Sequence, residues 1–268
     1  MTYKTLTLST KNGVARLTLN RPKVHNAFNE VMLKEILEVC TRLAKNKSVR
    51  VLVFTGEGKS FSAGADLNWM KKMIKYTYEQ NLADSMVLAK AMNALYSMPQ
   101  PTIARVNGSA IGGGMGFVTG CDIAIAAEHA TLSLSEVKIG LIPACIGPYV
   151  IRKVGTGKAK EFFLTGERMT AQRALENGFV NKVVPGDKLD KAVDELVERL
   201  LSSGPKAMGY AKELIDKVPG MSWQEAMEYT ADMIAKIRIG DEAQEGCTAF
   251  LEKRKPNWIK QKKLTSKK

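Results

Sequence analysis

Three short segments carry residue types that could do chemistry. Residues 112–116, GGGMG, put four glycines in five positions straight after an apolar, strand-like run. Glycine inside a regular element costs about 1 kcal/mol relative to alanine. Such a run therefore serves a backbone conformation that other residues avoid, as in a tight strand-to-helix turn, or a ligand that must come very close to the main chain. Residues 58–70, GKSFSAGADLNWM, form a second small-residue loop after the strand-like RVLVFTG. Residues 132–150, LSLSEVKIGLIPACIGPYV, hold one acid, Glu136, among apolar neighbours. A carboxylate so placed is either a satisfied structural acid or a group that moves protons.

Other chemistries find little support. Cys40, Cys121, Cys145 and Cys247 are far apart, and His25 and His129 have no partner at ligand spacing, so neither a metal site nor a disulfide framework is expected. No stretch approaches the roughly 18 apolar residues of a membrane span. The opening residues alternate like a strand and lack a signal-peptide core, which makes a cytoplasmic location the expectation. The net charge of +13 suits an anionic small molecule or nucleic acid. Much of it is concentrated in residues 253–268, however, and no basic stripe interleaved with aromatics is present, so nucleic acid is not the expected partner.

The elements that must position these segments follow from periodicity. Two alternating runs around Lys11-Asn12-Gly13 predict a hairpin. Residues 29–46 place Met32, Leu33, Ile36, Leu37, Cys40 and Leu43 on one helical stripe. A short buried strand, a helix over about 79–97, the strand TIARVNG, the glycine run and the strand CDIAIAA continue a strand–helix alternation to about residue 185, which predicts an α/β layered fold. After Pro185 four amphipathic helices follow, broken by Gly204-Pro205, Pro219-Gly220 and Gly240. Their methionines, among them Met221, Met227 and Met233, read as core or subunit-interface packing. The expected division is a core over 1–195, a helical region over 196–258 and a basic, disordered tail over 259–268.

Five segments in order, LNRPKVHNAFN, FSAGADL, GGGMGFVTGCDIAIA, EVKIGLIP and AFLEKRKPNW, resemble the crotonase family, also called the enoyl-CoA hydratase/isomerase superfamily. The likeness covers residues 3 to 258. It implies a ββα spiral with an α-helical C-terminal trimerisation region, assembled as a homotrimer or a hexamer. It also implies an acyl-CoA substrate, with coenzyme A as part of the thioester and no permanently bound cofactor. During reaction the thioester oxygen becomes enolate-like, and two main-chain N–H groups would stabilise it; the motif puts them at Ala65 and Gly113. Lys23, Val24, His25 and Ala27 would border the CoA and its phosphates, Ala63, Asp66 and Leu67 the adenine, with Gly112 beside them; Phe250 and Lys253 would reach CoA from the C-terminal helix.

The chain departs from the family's hydratases at one position. These usually carry two glutamates; the second falls at Glu136, and where the first belongs stands Gly116. The expected consequence is spare volume beside the substrate Cβ, enough for a water or a branched acyl group. Further likeness to bacterial methylglutaconyl-CoA and isohexenylglutaconyl-CoA hydratases suggests a branched, carboxylated enoyl-CoA. A Δ3-Δ2 enoyl-CoA isomerase, or an inactive acyl-CoA or RNA binding protein, is the alternative.

Overall fold

The computed structural model describes residues 2–259, so the basic tail lies outside the described residues from position 260 onward. Leu6–Lys11 (β1) and Val14–Leu19 (β2) pair antiparallel. The turn between them has positive φ at both Asn12 (53°) and Gly13 (83°). That conformation matches the right-handed twist of the strands, and asparagine followed by glycine tolerates it.

From here the chain repeats one unit three times: a strand, a corner, a short second strand, and helix or turn. The pairs are Val51–Gly56 (β3) with Ser60–Ser62 (β4), Thr102–Val106 (β5) with Ser109–Ile111 (β6), and Ile123–Ala127 (β7) with Thr131–Ser133 (β8). Arg168–Thr170 (β9) and Lys182–Val184 (β10) complete two sheets. The larger runs β1-β2-β3-β5-β7-β10, parallel after the hairpin. The smaller runs β4-β6-β8-β9, with only β9 antiparallel. Successive coils thus lay one strand each into both sheets. Asn107 ties two corners together: its Oδ1 accepts from the Thr55 hydroxyl and the Gly56 N–H, both at 3.2 Å, and its amide donates to Gly58 O at 2.9 Å.

Helices close the coils. Glu30–Ala44 (α1) begins where the Asn29 side chain accepts from Met32 N–H and buries Met32, Leu33, Ile36, Val39, Cys40 and Leu43. Leu67–Met73 (α2) is capped by Asp66, and Tyr78–Tyr96 (α3) by a Thr77/Gln80 capping box. Gly113–Gly120 (α4) is buried along almost its whole length. Gly147–Thr165 (α5) breaks at Gly155, and Ala171–Glu176 (α6) precedes β10. Leu189–Ser202 (α7), Pro205–Lys217 (α8), Trp223–Arg238 (α9) and Asp241–Leu251 (α10) are the four expected C-terminal helices.

The chain divides into two compact units, Met1–Leu196 and Val197–Lys268. In the first, one continuous apolar core runs from Leu6 to Val180. In the second, the Glu242 carboxylate caps α8 by accepting from Lys206 and Ala207 N–H (2.9 and 2.8 Å), and Arg254 grips Glu245 with two nitrogens. Ile215, Trp223, Met227, Ile239, Phe250 and Leu251 remain exposed.

Candidate active site

The segment after β2 runs beside the segment after β4. Ala63 N–H donates to His25 O (2.9 Å), Phe28 N–H to Gly64 O (2.8 Å) and Asp66 N–H to Phe28 O (2.9 Å), which makes a parallel bridge of Phe28 with Ala65. The bonds of that bridge belong to Gly64 and Asp66, so the N–H of Ala65 itself points to the opposite edge. The chain leaving β6 runs along that edge. Gly64, at φ 88°, lies so close that a Cβ there would sit 2.7 Å from Ile111 O and 3.6 Å from Gly113 N. Only glycine fits the position.

Gly112 takes φ 52°, ψ −126° and donates its N–H to Ser133 O at 2.8 Å. Gly113 then opens α4, where first-turn N–H groups have no partner inside the helix and the helix dipole favours negative charge. The pairing of Ile111 with Ser133 brings the turn after β8 against this glycine pair. Glu136 stands in that turn, and a Cβ on Gly112 would be 3.4 Å from its Oε1. Glu136 Oε2 is buried and has no hydrogen-bond partner among the described residues. Burial raises the Glu136 pKa, and a bond to its own backbone N–H offsets this only in part. Desolvation thus shifts this carboxyl towards its protonated form, the direction that suits proton transfer.

That shift has a stability consequence. A group whose pKa is raised on folding stabilises the protein below its ordinary value of 4.5, and the contribution is lost as pH rises through the raised value. Glu136→Gln removes the burden of the buried anion. The variant should melt higher than the parent at pH 8, with the gap closing as the pH falls towards 4.5, in calorimetric scans across that window.

Gly116 overturns the expectation of spare volume. A Cβ there would sit 2.9 Å from Ile146 Cβ and 3.0 Å from Met92 Cε, and closer still to the Ile146 γ-methyl. The side chain that glycine lacks is replaced by Ile146, itself 2% exposed at the start of α5. Gly116→Ala should therefore cost about 1–3 kcal/mol by overpacking. Combining it with Ile146→Ala should cost less than the two single changes added together, as read from denaturant midpoints in a double-mutant cycle.

The residues expected to border a CoA divide by environment. Lys23 and Val24 form an exposed turn, and His25 follows at φ 51° with Nδ1 2.9 Å from the Ser60 hydroxyl. Ala27 is buried and gives its carbonyl to Arg21 Nη1. Leu67 is exposed at the start of α2. Asp66 turns its carboxylate inward, 2.7 Å from Arg21 Nη2, and caps Asn68 and Trp69 N–H. Burial pushes its pKa up, but Arg21 and the two amides outweigh that and hold it low. No ligand is needed to explain this acid, which leaves only its main chain to border one. Phe250 is 82% exposed on α10, and Lys253, at φ 54°, is the left-handed residue that closes the same helix.

Ala65, Gly112, Gly113 and Glu136 thus converge from three successive coils. Phe28 and Ile146 were missed as site residues: Phe28 falls within the LNRPKVHNAFN segment, but neither side chain has a polar atom to mark it. Among the described residues no three His, Cys, Asp or Glu side chains group to hold a metal, and no helix is long and apolar enough to cross a membrane.

A family model described as enoyl-CoA hydratase/isomerase matches residues 9–261. The chain is 35% identical to a crotonyl-CoA hydratase of Syntrophomonas wolfei, over 97% of this chain and 99% of that one. It is 30% identical to a trans-2-decenoyl-[acyl-carrier-protein] isomerase of Streptococcus mutans, over 96% and 99%. The crystal structure of an enoyl-CoA hydratase from Shewanella pealeana superposes with a TM-score of 0.92 at 44% identity, over 95% and 96%.

Proposed function

We propose that this chain, which belongs to the enoyl-CoA hydratase/isomerase family, adds water across the double bond of an enoyl thioester of coenzyme A. The observation that carries the reading is the desolvated Glu136 carboxyl lying against the Gly112–Gly113 turn. In this reading the thioester oxygen accepts from the Ala65 and Gly113 amides, which stabilise the negative charge that develops there. Glu136 takes a proton from water as the hydroxyl bonds to Cβ, and returns it to Cα. Coenzyme A arrives and leaves with the substrate, bordered by the 23–27 and 63–67 segments. Residues 1 to about 195 carry the site and the following helices the self-association.

A branched, carboxylated substrate loses its volume argument, because Ile146 fills the position behind Gly116. A glutamate at Gly116 would have to displace that side chain before it could hold water. The same apolar contact favours a second reading: a single carboxyl can move a proton between Cα and Cγ, as a Δ3-Δ2 isomerase does, with no second group to hold water. A panel of straight, branched and carboxylated 2-enoyl- and 3-enoyl-CoA thioesters separates the two. Hydration removes the enoyl absorbance of a 2-enoyl thioester, whereas isomerisation creates it from a 3-enoyl one. A parent protein that binds the thioesters yet gives neither signal would be an acyl-CoA binder in place of an enzyme.

The exposed Trp223, Ile239, Phe250 and Leu251 support a trimer, paired into a hexamer. Light scattering at micromolar concentration should return a mass of three or six chains, and a monomer would sink the assignment.

A further inference from the structure

We propose that Phe28 is a positioning residue that fixes the separation of the Ala65 and Gly113 amides, an inference that rests on the two-amide reading above. Ladder pairing between β4 and β6 ends at Ser62 and Ala110, three residues short of either amide. Beyond it Gly64 packs directly on Ile111, and Phe28 touches both loops from one side. Its main chain brackets Ala65, donating to Gly64 O and accepting from Asp66 N–H. Its ring edge lies under Gly113, where a Cβ would sit 2.7 Å from Cε1 and closer still to Cζ.

The ring is itself held on two sides. Phe117, one turn further along α4, meets it edge-on at 5.6 Å, and Trp69 of α2 does so at 5.8 Å. Trp69 is 4% exposed; its indole N–H donates to Asp84 Oδ1 at 3.2 Å and its backbone N–H to Asp66 at 3.3 Å. The side chain is thus a rigid spacer that reaches from the backbone beside Ala65 to the start of α4. A shorter, branched side chain would let the two loops close or slide by a fraction of an ångström. Misplacement on the order of 1 Å can cost about 10²-fold in rate.

The test uses the full-length protein and cinnamoyl-CoA, whose conjugated chromophore absorbs further to the red when its carbonyl oxygen is polarised by two donors. The parent should show that shift on binding. Phe28→Leu should lose at least half of it and about 10–100-fold in kcat, with KM and the affinity for free CoA nearly unchanged. Trp69→Phe keeps a ring but drops the indole N–H, and should move both readouts the same way by less. Melting curves establish that each variant is folded; should Phe28→Leu not fold, Trp69→Phe carries the test, and an unchanged shift there overturns the proposal. A folded Phe28→Leu with the parent's shift and kcat overturns it too, while leaving the two-amide reading intact if Gly113→Pro abolishes the shift. A parent protein with no red shift removes both.

Discussion

Glu136→Gln is expected to lower kcat by about 10²–10⁴-fold, the usual contribution of a positioned acid–base group. Glutamine keeps the shape that lies against Gly112 but cannot accept the proton of water. The size of the loss follows from the surroundings. No other carboxylate stands behind Gly116 to share the work, since Ile146 and Met92 occupy that space. Asp84 is also partly buried, and its pKa is raised by desolvation, but it is committed to the Trp69 indole. Affinity for free CoA should hold within a few-fold, because the 23–27 and 63–67 segments lie on other coils. Steady-state kinetics on the thioester panel, with CoA affinity measured by calorimetry, checks both halves. Full activity in the glutamine variant on every thioester would end the mechanism proposed above.

Gly113→Pro is expected to abolish turnover. Proline removes the N–H at the start of α4, and one oxyanion donor is worth about 3–4 kcal/mol in comparable sites. Its ring atoms would also press on Phe28, so the loss needs a control that separates bonding from bulk. Gly113→Ala supplies it: the N–H survives while the new Cβ pushes against the same phenyl ring. The alanine variant should keep measurable turnover and the proline variant none. Equal activities in the two, with both folded by circular dichroism, would mean that this amide stabilises no charge.

Much of this arrangement was legible in the sequence, for identifiable reasons. The hairpin announced itself through Asn12-Gly13, because few other pairs accept positive φ twice in succession. The stripe of α1 and the four C-terminal helices were long enough for a 3.6-residue period to show. The second sheet was not legible: strands as short as Ser60–Ser62 and Thr131–Ser133 offer no period to count. The glycines at 112 and 113 read as a place for close approach to the main chain; within the chain, Glu136 lies against Gly112 and Phe28 against Gly113. What a glycine leaves open, by contrast, depends on residues distant in sequence. Gly116 read as a gap until Ile146, thirty positions later, was seen to fill it, and nothing near Asp66 in the sequence marked Arg21 as the partner of its carboxylate.

The three coils also set an order of manufacture. Ala65 belongs to the first, Gly113 to the second and Glu136 to the third, so vectorial synthesis from the N-terminus delivers the groups of the proposed site in sequence. A nascent chain that has emerged as far as α4 can already lay β4 beside β6, and with them the two main-chain loops. The carboxyl cannot join them until β8 has zipped onto β6. A growing chain would thus carry the proposed cradle for a thioester oxygen before the group proposed to move a proton, and on that reading the unfinished enzyme is catalytically silent by construction.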